Sequence, residues 1–165
     1  MTTDAAHTRW WQIFEVVFGL PFLAAIALHL IMPLTFPRGS LTPAIIAGGV
    51  ALIIMGVTLV ILARRAFAQR RQPTDPGRPT SMLVTTGVFS VSRNPLYLGG
   101  VCVLVGLALV LNLPWVLVLL LPAMIACQAV LIAPEERYLA AKFGAEYQIY
   151  AASVHRWIGR TRHAG

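Results

Sequence analysis

From Pro95 to Pro134 the chain carries no charged residue, and polar clusters mark both ends of that stretch: Arg93-Asn94-Pro95-Leu96-Tyr97 at its start and Glu135-Glu136 just after it. A run this long exceeds one bilayer crossing, which takes roughly 20 apolar residues, and suits two. Asn112-Leu113-Pro114, near its middle, supplies a tight turn. A hairpin that enters the bilayer and returns brings both of its ends to the same membrane face. The spacing therefore predicts that two polar clusters far apart in sequence meet at one place.

The rest of the chain agrees that lipid is the main solvent. Of 165 residues, 58% are hydrophobic and only 12% are charged, whereas soluble domains carry about a quarter charged residues. Four stretches have the length of membrane helices, approximately 14–35, 43–63, 95–113 and 114–133. The expected fold class is an all-α integral membrane protein of four transmembrane helices, with a re-entrant or interfacial segment and C-terminal amphipathic helices. Residues 1–165 form a single domain in this reading, because nothing is left over for a separate soluble one.

The net charge of +7 sets topology rather than nucleic-acid binding. With both termini on the cytoplasmic side, Arg9, six arginines from Arg64 to Arg93, Arg137, Lys142, Arg156, Arg160 and Arg162 lie inside, and Arg38 alone lies outside. This bias fixes orientation by the positive-inside rule and suits contact with anionic headgroups. A nucleic-acid partner is not expected. The first apolar stretch lacks a small-residue cleavage site and reads as an anchor that is retained. Trp10 and Trp11 suit the membrane interface.

Small residues recur on the second helix (Gly48, Gly49, Gly56) and the third (Gly99, Gly100, Gly106), the spacing by which membrane helices approach closely. The tight turn predicts that the third and fourth helices are antiparallel neighbours, with Ala123 and Cys127 giving the fourth a small face. Pro73, Pro76, Gly77 and Pro79 break any helix. After them, the apolar run 82–89 is too short to span, and irregular backbone at membrane depth must be covered by protein or line a cavity. Beyond Pro134 the chain turns amphipathic. Gly144 is a predicted helix stop, and Tyr147, Tyr150, Val154 and Trp157 fit one face of a following short helix.

Several common sites are absent from the sequence. There is no G-x-G-x-x-G, no P-loop and no Cys/His spacing for a metal. His29 is an ionisable residue within a membrane helix, near the end opposite the clusters. Glu15 suits a helix N-terminus. Glu135 and Glu136 point about 100° apart on a helix, so they do different jobs. Pro95 opens the third helix, whose first N–H groups can receive an anion, and Tyr97 offers an aromatic face one turn further in.

Taken together, Leu83-Val84-Thr85-Thr86-Gly87-Val88-Phe89, Arg93-Asn94-Pro95-Leu96-Tyr97-Leu98-Gly99 and Glu135-Glu136-x-x-Leu139-x-x-x-Phe143-Gly144-x-x-Tyr147-x-x-Tyr150 resemble the isoprenylcysteine carboxyl methyltransferases. That superfamily of membrane methyltransferases includes the phospholipid methyltransferases. The resemblance covers about residues 81–157 and implies S-adenosyl-L-methionine as cofactor. It places Ser81, Met82, Leu83 and Val84 along the adenine and puts Phe89 where the family has tyrosine. Asn94, Pro95, Leu96 and Tyr97 would lie around the amino-acid tail and sulfonium, and Glu135 would accept hydrogen bonds from the cofactor. Arg93 and Glu136 are the catalytic candidates, as the electrostatic frame of the cradle.

Two positions depart from the prenylcysteine enzymes: Asn94 replaces a histidine, and Leu131 stands where a substrate-binding arginine is expected. The implied activity is methyl transfer to a lipophilic small molecule or lipid at the cytoplasmic face of a bacterial-type inner membrane. Two other readings remain at this point: a membrane NADPH-dependent reductase of the sterol-reductase type, and a non-enzymatic four-helix exporter.

Overall fold

Proline punctuates the helices. Pro43, Pro95, Pro114 and Pro134 each lie in a first turn, where the missing N–H would have had no intrahelical partner. A computed structural model describes residues 14–37, 39–70 and 81–161. They form α1 (Phe14–Ile31), α2 (Thr42–Gln69), α3 (Pro95–Val110), α4 (Pro114–Ala126), α5 (Ala133–Phe143) and α6 (Ala145–Ser153). A 3₁₀ turn, Gly87–Ser90, precedes α3, and a π-helical turn, Cys127–Ile132, joins α4 to α5. Trp10, Trp11 and the prolines of 73–79 lie outside the described residues.

Three continuous helical stretches are long and apolar enough to cross a membrane: Phe14–Ile31, Thr42–Gln69 and Pro114–Phe143. The fourth apolar helix, Pro95–Val110, has 16 residues, about 24 Å at 1.5 Å per residue. The first helix is shorter than its apolar stretch. α1 stops at Ile31, two residues before Pro33, where helical geometry is disfavoured. α2 runs on to Gln69, carrying Arg64 and Arg65 beyond the apolar window. Leu20, Leu23, Leu30, Ile54 and Ile61 are exposed, an outward apolar surface that suits lipid.

The closest helix contact is between α2 and α3. A Cβ at Gly56 would collide with the Gly99 carbonyl oxygen, and one at Gly99 would lie 2.7 Å from the Gly56 oxygen. Two turns away, a Cβ at Gly49 would lie 2.9 Å from the Gly106 oxygen. Two glycine pairs, seven residues apart on both helices, thus let antiparallel backbones touch. The expected α3–α4 neighbourhood exists, but the glycine face of α3 is turned to α2. α1 packs against α4 and the π-helical turn through Phe18, Ala123 and Cys127.

At the end holding the α3–α4 turn, Asn112 adopts φ 57°, and its Oδ1 accepts the Phe36 N–H at 2.7 Å. Trp115 donates its indole N–H to the Met32 carbonyl at 2.8 Å. Among the described residues, the carboxylates Glu15, Glu135 and Glu136 and the arginines of the polar clusters lie at the opposite end, where α1 and α3 begin and α5 and α6 lie.

Candidate functional site

Glu135 and Glu136 open the first turn of α5, and Arg93 and Asn94 lead into α3. The apolar hairpin between them returns to its starting level, so the two clusters meet. Tyr97 Oη donates to Glu135 Oε2 at 3.3 Å. The Arg93 guanidinium lies 3.2 Å from Glu136 Oε1 and donates to Tyr147 Oη at 3.2 Å. The two carboxylates do separate jobs, as adjacent helix positions require: one meets a phenol, the other a guanidinium.

The π-helical turn sets the angle of α5. The Ala133 N–H bonds to the Gln128 carbonyl, five residues back. Pro134 follows, without an N–H and with a ring that crowds the carbonyl four residues earlier. Widening the helix there relieves that clash and inserts a register change just before the two glutamates. Such turns recur at functional sites.

Aromatic packing fixes Tyr97. Its ring stacks with Phe14 at 6.3 Å, and the Phe14 ring occupies the space that a side chain at Gly100 would fill. The start of α1 is thereby held against α3. Glu15, one residue on, is exposed.

Residues 154–161 close the site from the C-terminal side. Val154 does not extend α6: it pairs with Arg160 in an antiparallel bridge, with Gly159 at φ 113° making the turn. Arg93 N–H donates to the His155 carbonyl at 3.1 Å, and Gly159 N–H to the Val91 carbonyl at 2.8 Å. Arg156 forks onto Glu136, with Nε to Oε1 and Nη2 to Oε2 both at 2.8 Å. Its carbonyl accepts Asn94 Nδ2 at 3.0 Å and Ser92 Oγ at 3.4 Å. Trp157 packs on the cluster of Phe18, Leu131 and Ile132 instead of lying on the helix face.

The other expected site residues divide. Asn94 and Pro95 are buried beside the cluster. Val84 and Phe89 are buried in a separate apolar group with Ala63, Leu96 and Phe67, and Phe89 meets the Phe67 ring at 5.0 Å. Leu83 packs on Tyr147, Tyr150 and Val154, while Ser81 and Met82 are exposed. Tyr150 ties this wall to α6 by donating to the Phe89 carbonyl at 2.7 Å. Burial pushes the Tyr147 and Tyr150 phenols up from their ordinary range, outweighing the opposing pull of Arg93. Hydrogen bonding to Glu136 raises Arg156.

Leu131 is fully buried against Phe18, Ala123, Cys127 and Ile132. A cavity of about 240 Å³ lies at the other end of the bundle, lined by residues such as Phe36, Ile45, Leu109 and Asn112 and, among the described residues, by no charged side chain.

Fold and site define a helical integral membrane protein with a polar, arginine- and carboxylate-lined cluster at one end of an apolar bundle. The chain belongs to the phospholipid methyltransferase family, whose sequence profile matches residues 44–146. It is therefore a member of a methyltransferase family, as its paired motifs led us to expect. The matched stretch holds every residue of the cluster except Tyr147 and the 154–161 hairpin with Arg156. No curated protein and no solved structure matches the chain.

Proposed function

We propose that this protein transfers a methyl group from S-adenosyl-L-methionine to a lipophilic small molecule or lipid at the cytoplasmic face of the membrane. The observation that carries the reading is the Tyr97–Glu135 hydrogen bond, which joins the two halves of the cofactor motif across the apolar hairpin. In this reading the chain is one domain, and α3 completes a fourth crossing together with the polar turns at its ends.

The donor set fits the cofactor. Its cationic sulfonium and ammonium favour the Glu135 carboxylate and the Tyr97 ring. Its carboxylate favours a guanidinium, and Arg93 Nε is buried without a hydrogen-bond partner among the described residues. Asn94, Pro95 and Leu96 would hold the amino-acid tail alongside Tyr97. Ser81, Met82, Leu83 and Val84 would border the adenine, with Phe89 backing that wall. When bound, the cofactor supplies an electrophilic methyl group.

The protein's own work is then alignment and exclusion of water. Tyr97 and Glu135 hold one side of the reaction space. Arg93 and Glu136 form its electrostatic frame, with Tyr147 fixing the guanidinium. Leu131, buried and apolar, provides no cation for an acceptor carboxylate, so the acceptor is recognised by its apolar body entering between helices.

Calorimetry in detergent tests the reading. Wild-type protein should bind S-adenosylhomocysteine, Glu135→Ala should lose that binding while keeping its melting temperature, and NADPH should give no heat. Well-folded wild-type protein that ignores S-adenosylhomocysteine would refute the proposal.

A further inference from the structure

We infer that Arg156 is a positioning residue that couples the two halves of the cofactor cradle, so that the 154–161 hairpin forms the third wall of the site. The inference rests on the cofactor assignment proposed above.

Arg156 grips both clusters at once, using different ends of the same residue. Its guanidinium forks onto Glu136 with two bonds of 2.8 Å, the paired geometry in which guanidinium and carboxylate fix each other's orientation. Its backbone carbonyl receives Asn94 Nδ2 at 3.0 Å. Asn94 and Glu136 belong to motifs on opposite sides of the apolar hairpin, and this one residue touches both. Exposed ion pairs contribute little as a rule. The Arg156 side chain is itself 47% exposed, so its weight lies in orientation: the carboxylate it fixes is only 17% exposed and also meets Arg93, 13% exposed.

The hairpin around Arg156 is built to hold it. Arg93 N–H to His155 and Gly159 N–H to Val91 lock its backbone to the segment before α3, while Trp157 anchors it in the Phe18–Leu131 cluster. With Arg156 in place, Glu136 is satisfied, and the Arg93 Nε, buried and without a hydrogen-bond partner among the described residues, stays uncommitted to it. Without Arg156, Glu136 competes for the whole Arg93 guanidinium and draws it from the ligand. The arginine therefore acts on the cofactor without touching it. Its carbonyl contact survives any side-chain substitution, so only the guanidinium's role is removed by mutation.

The test is a double-mutant cycle on S-adenosylhomocysteine affinity, by calorimetry in detergent, with Arg156→Gln, Glu136→Gln and the double variant. Arg156→Gln should weaken binding about tenfold, Arg156→Lys should recover part of it through a single ammonium contact, and melting temperatures without ligand should stay close to wild type. Because Arg156 acts through Glu136, adding Arg156→Gln to Glu136→Gln should cost no further affinity. Equal affinity in wild type and Arg156→Gln would overturn this inference and leave the cofactor assignment standing. Additive losses, or a loss that only tracks a fall in melting temperature, would also overturn it. No binding by wild type would remove both.

Discussion

Tyr97 and Glu135 lie 38 positions apart in the sequence and 3.3 Å apart in space, phenol to carboxylate. Most of α3, the turn at Asn112, α4 and the π-helical turn separate them along the chain. Their meeting is the direct result of a charge-free hairpin whose ends return to one level.

That bond can be removed with little disturbance. Tyr97→Phe keeps the stacking on Phe14 and deletes only the hydroxyl. S-adenosylhomocysteine binding should weaken about tenfold, or roughly 1.4 kcal/mol, near the lower bound for a hydrogen bond to a charged group. Isothermal titration checks this, and unchanged affinity would detach Tyr97 from the site.

The α2–α3 contact predicts a contrast between two glycines on one helix. Gly56→Ala drives a methyl group into the Gly99 carbonyl and within 2.8 Å of Val103 Cγ2. Backbone gives way poorly, so overpacking of about 1–3 kcal/mol follows, with a drop of several degrees in detergent melting temperature. Gly48→Ala meets nothing within 4 Å and should melt at or above the wild-type temperature. Equal behaviour of the two variants would contradict the packing described.

Much of this arrangement was legible beforehand, and its gaps have physical reasons. Apolar length and the prolines located the helices, and the small-residue spacing marked α2 and α3 as helices that pack closely. Spacing says that a helix packs closely but not against which neighbour, so the α2–α3 pairing emerged only in three dimensions. Arg93, Asn94, Tyr97 and the two glutamates were readable because the hairpin constrains them. Arg156 was not: one arginine among several basic C-terminal residues looks like a topology signal, and its fork onto Glu136 depends on the turn at Gly159. Trp157 was assigned to a helix face by periodicity, but the chain had already left the helix at Val154.

Tyr150 links α6 to the wall before α3 and gives the fold an alkaline limit. Its phenol donates to the Phe89 carbonyl at 2.7 Å, and burial raises its pKa above the ordinary value of 10.0. A raised folded-state pKa contributes stability that is fully present below the unfolded value and is lost as pH climbs through the folded one. The melting temperature should therefore hold up to about pH 10 and fall beyond it. Tyr150→Phe should start lower, by about 1–3 kcal/mol for the stranded carbonyl, and lose less of its remaining stability above pH 10. A wild-type profile flat through the alkaline range would contradict this assignment.

Leu131 offers the sharpest test of how far this chain departs from the prenylcysteine enzymes it resembles. It lies four residues before Glu135, a spacing that shares a face in a regular α-helix. The π-helical turn Cys127–Ile132 alters that register, and Leu131 is 0% exposed among Phe18, Ala123, Cys127 and Ile132. An arginine there places a cation in an apolar core packed on Phe18, Ala123 and Cys127, a cost of several kcal/mol. Leu131→Arg should therefore aggregate, or melt far below wild type, in fluorescence-detected size-exclusion chromatography. It should not gain affinity for a carboxylate-bearing lipid analogue. A monodisperse variant with wild-type melting temperature and such a gain would mean that this position faces the acceptor after all.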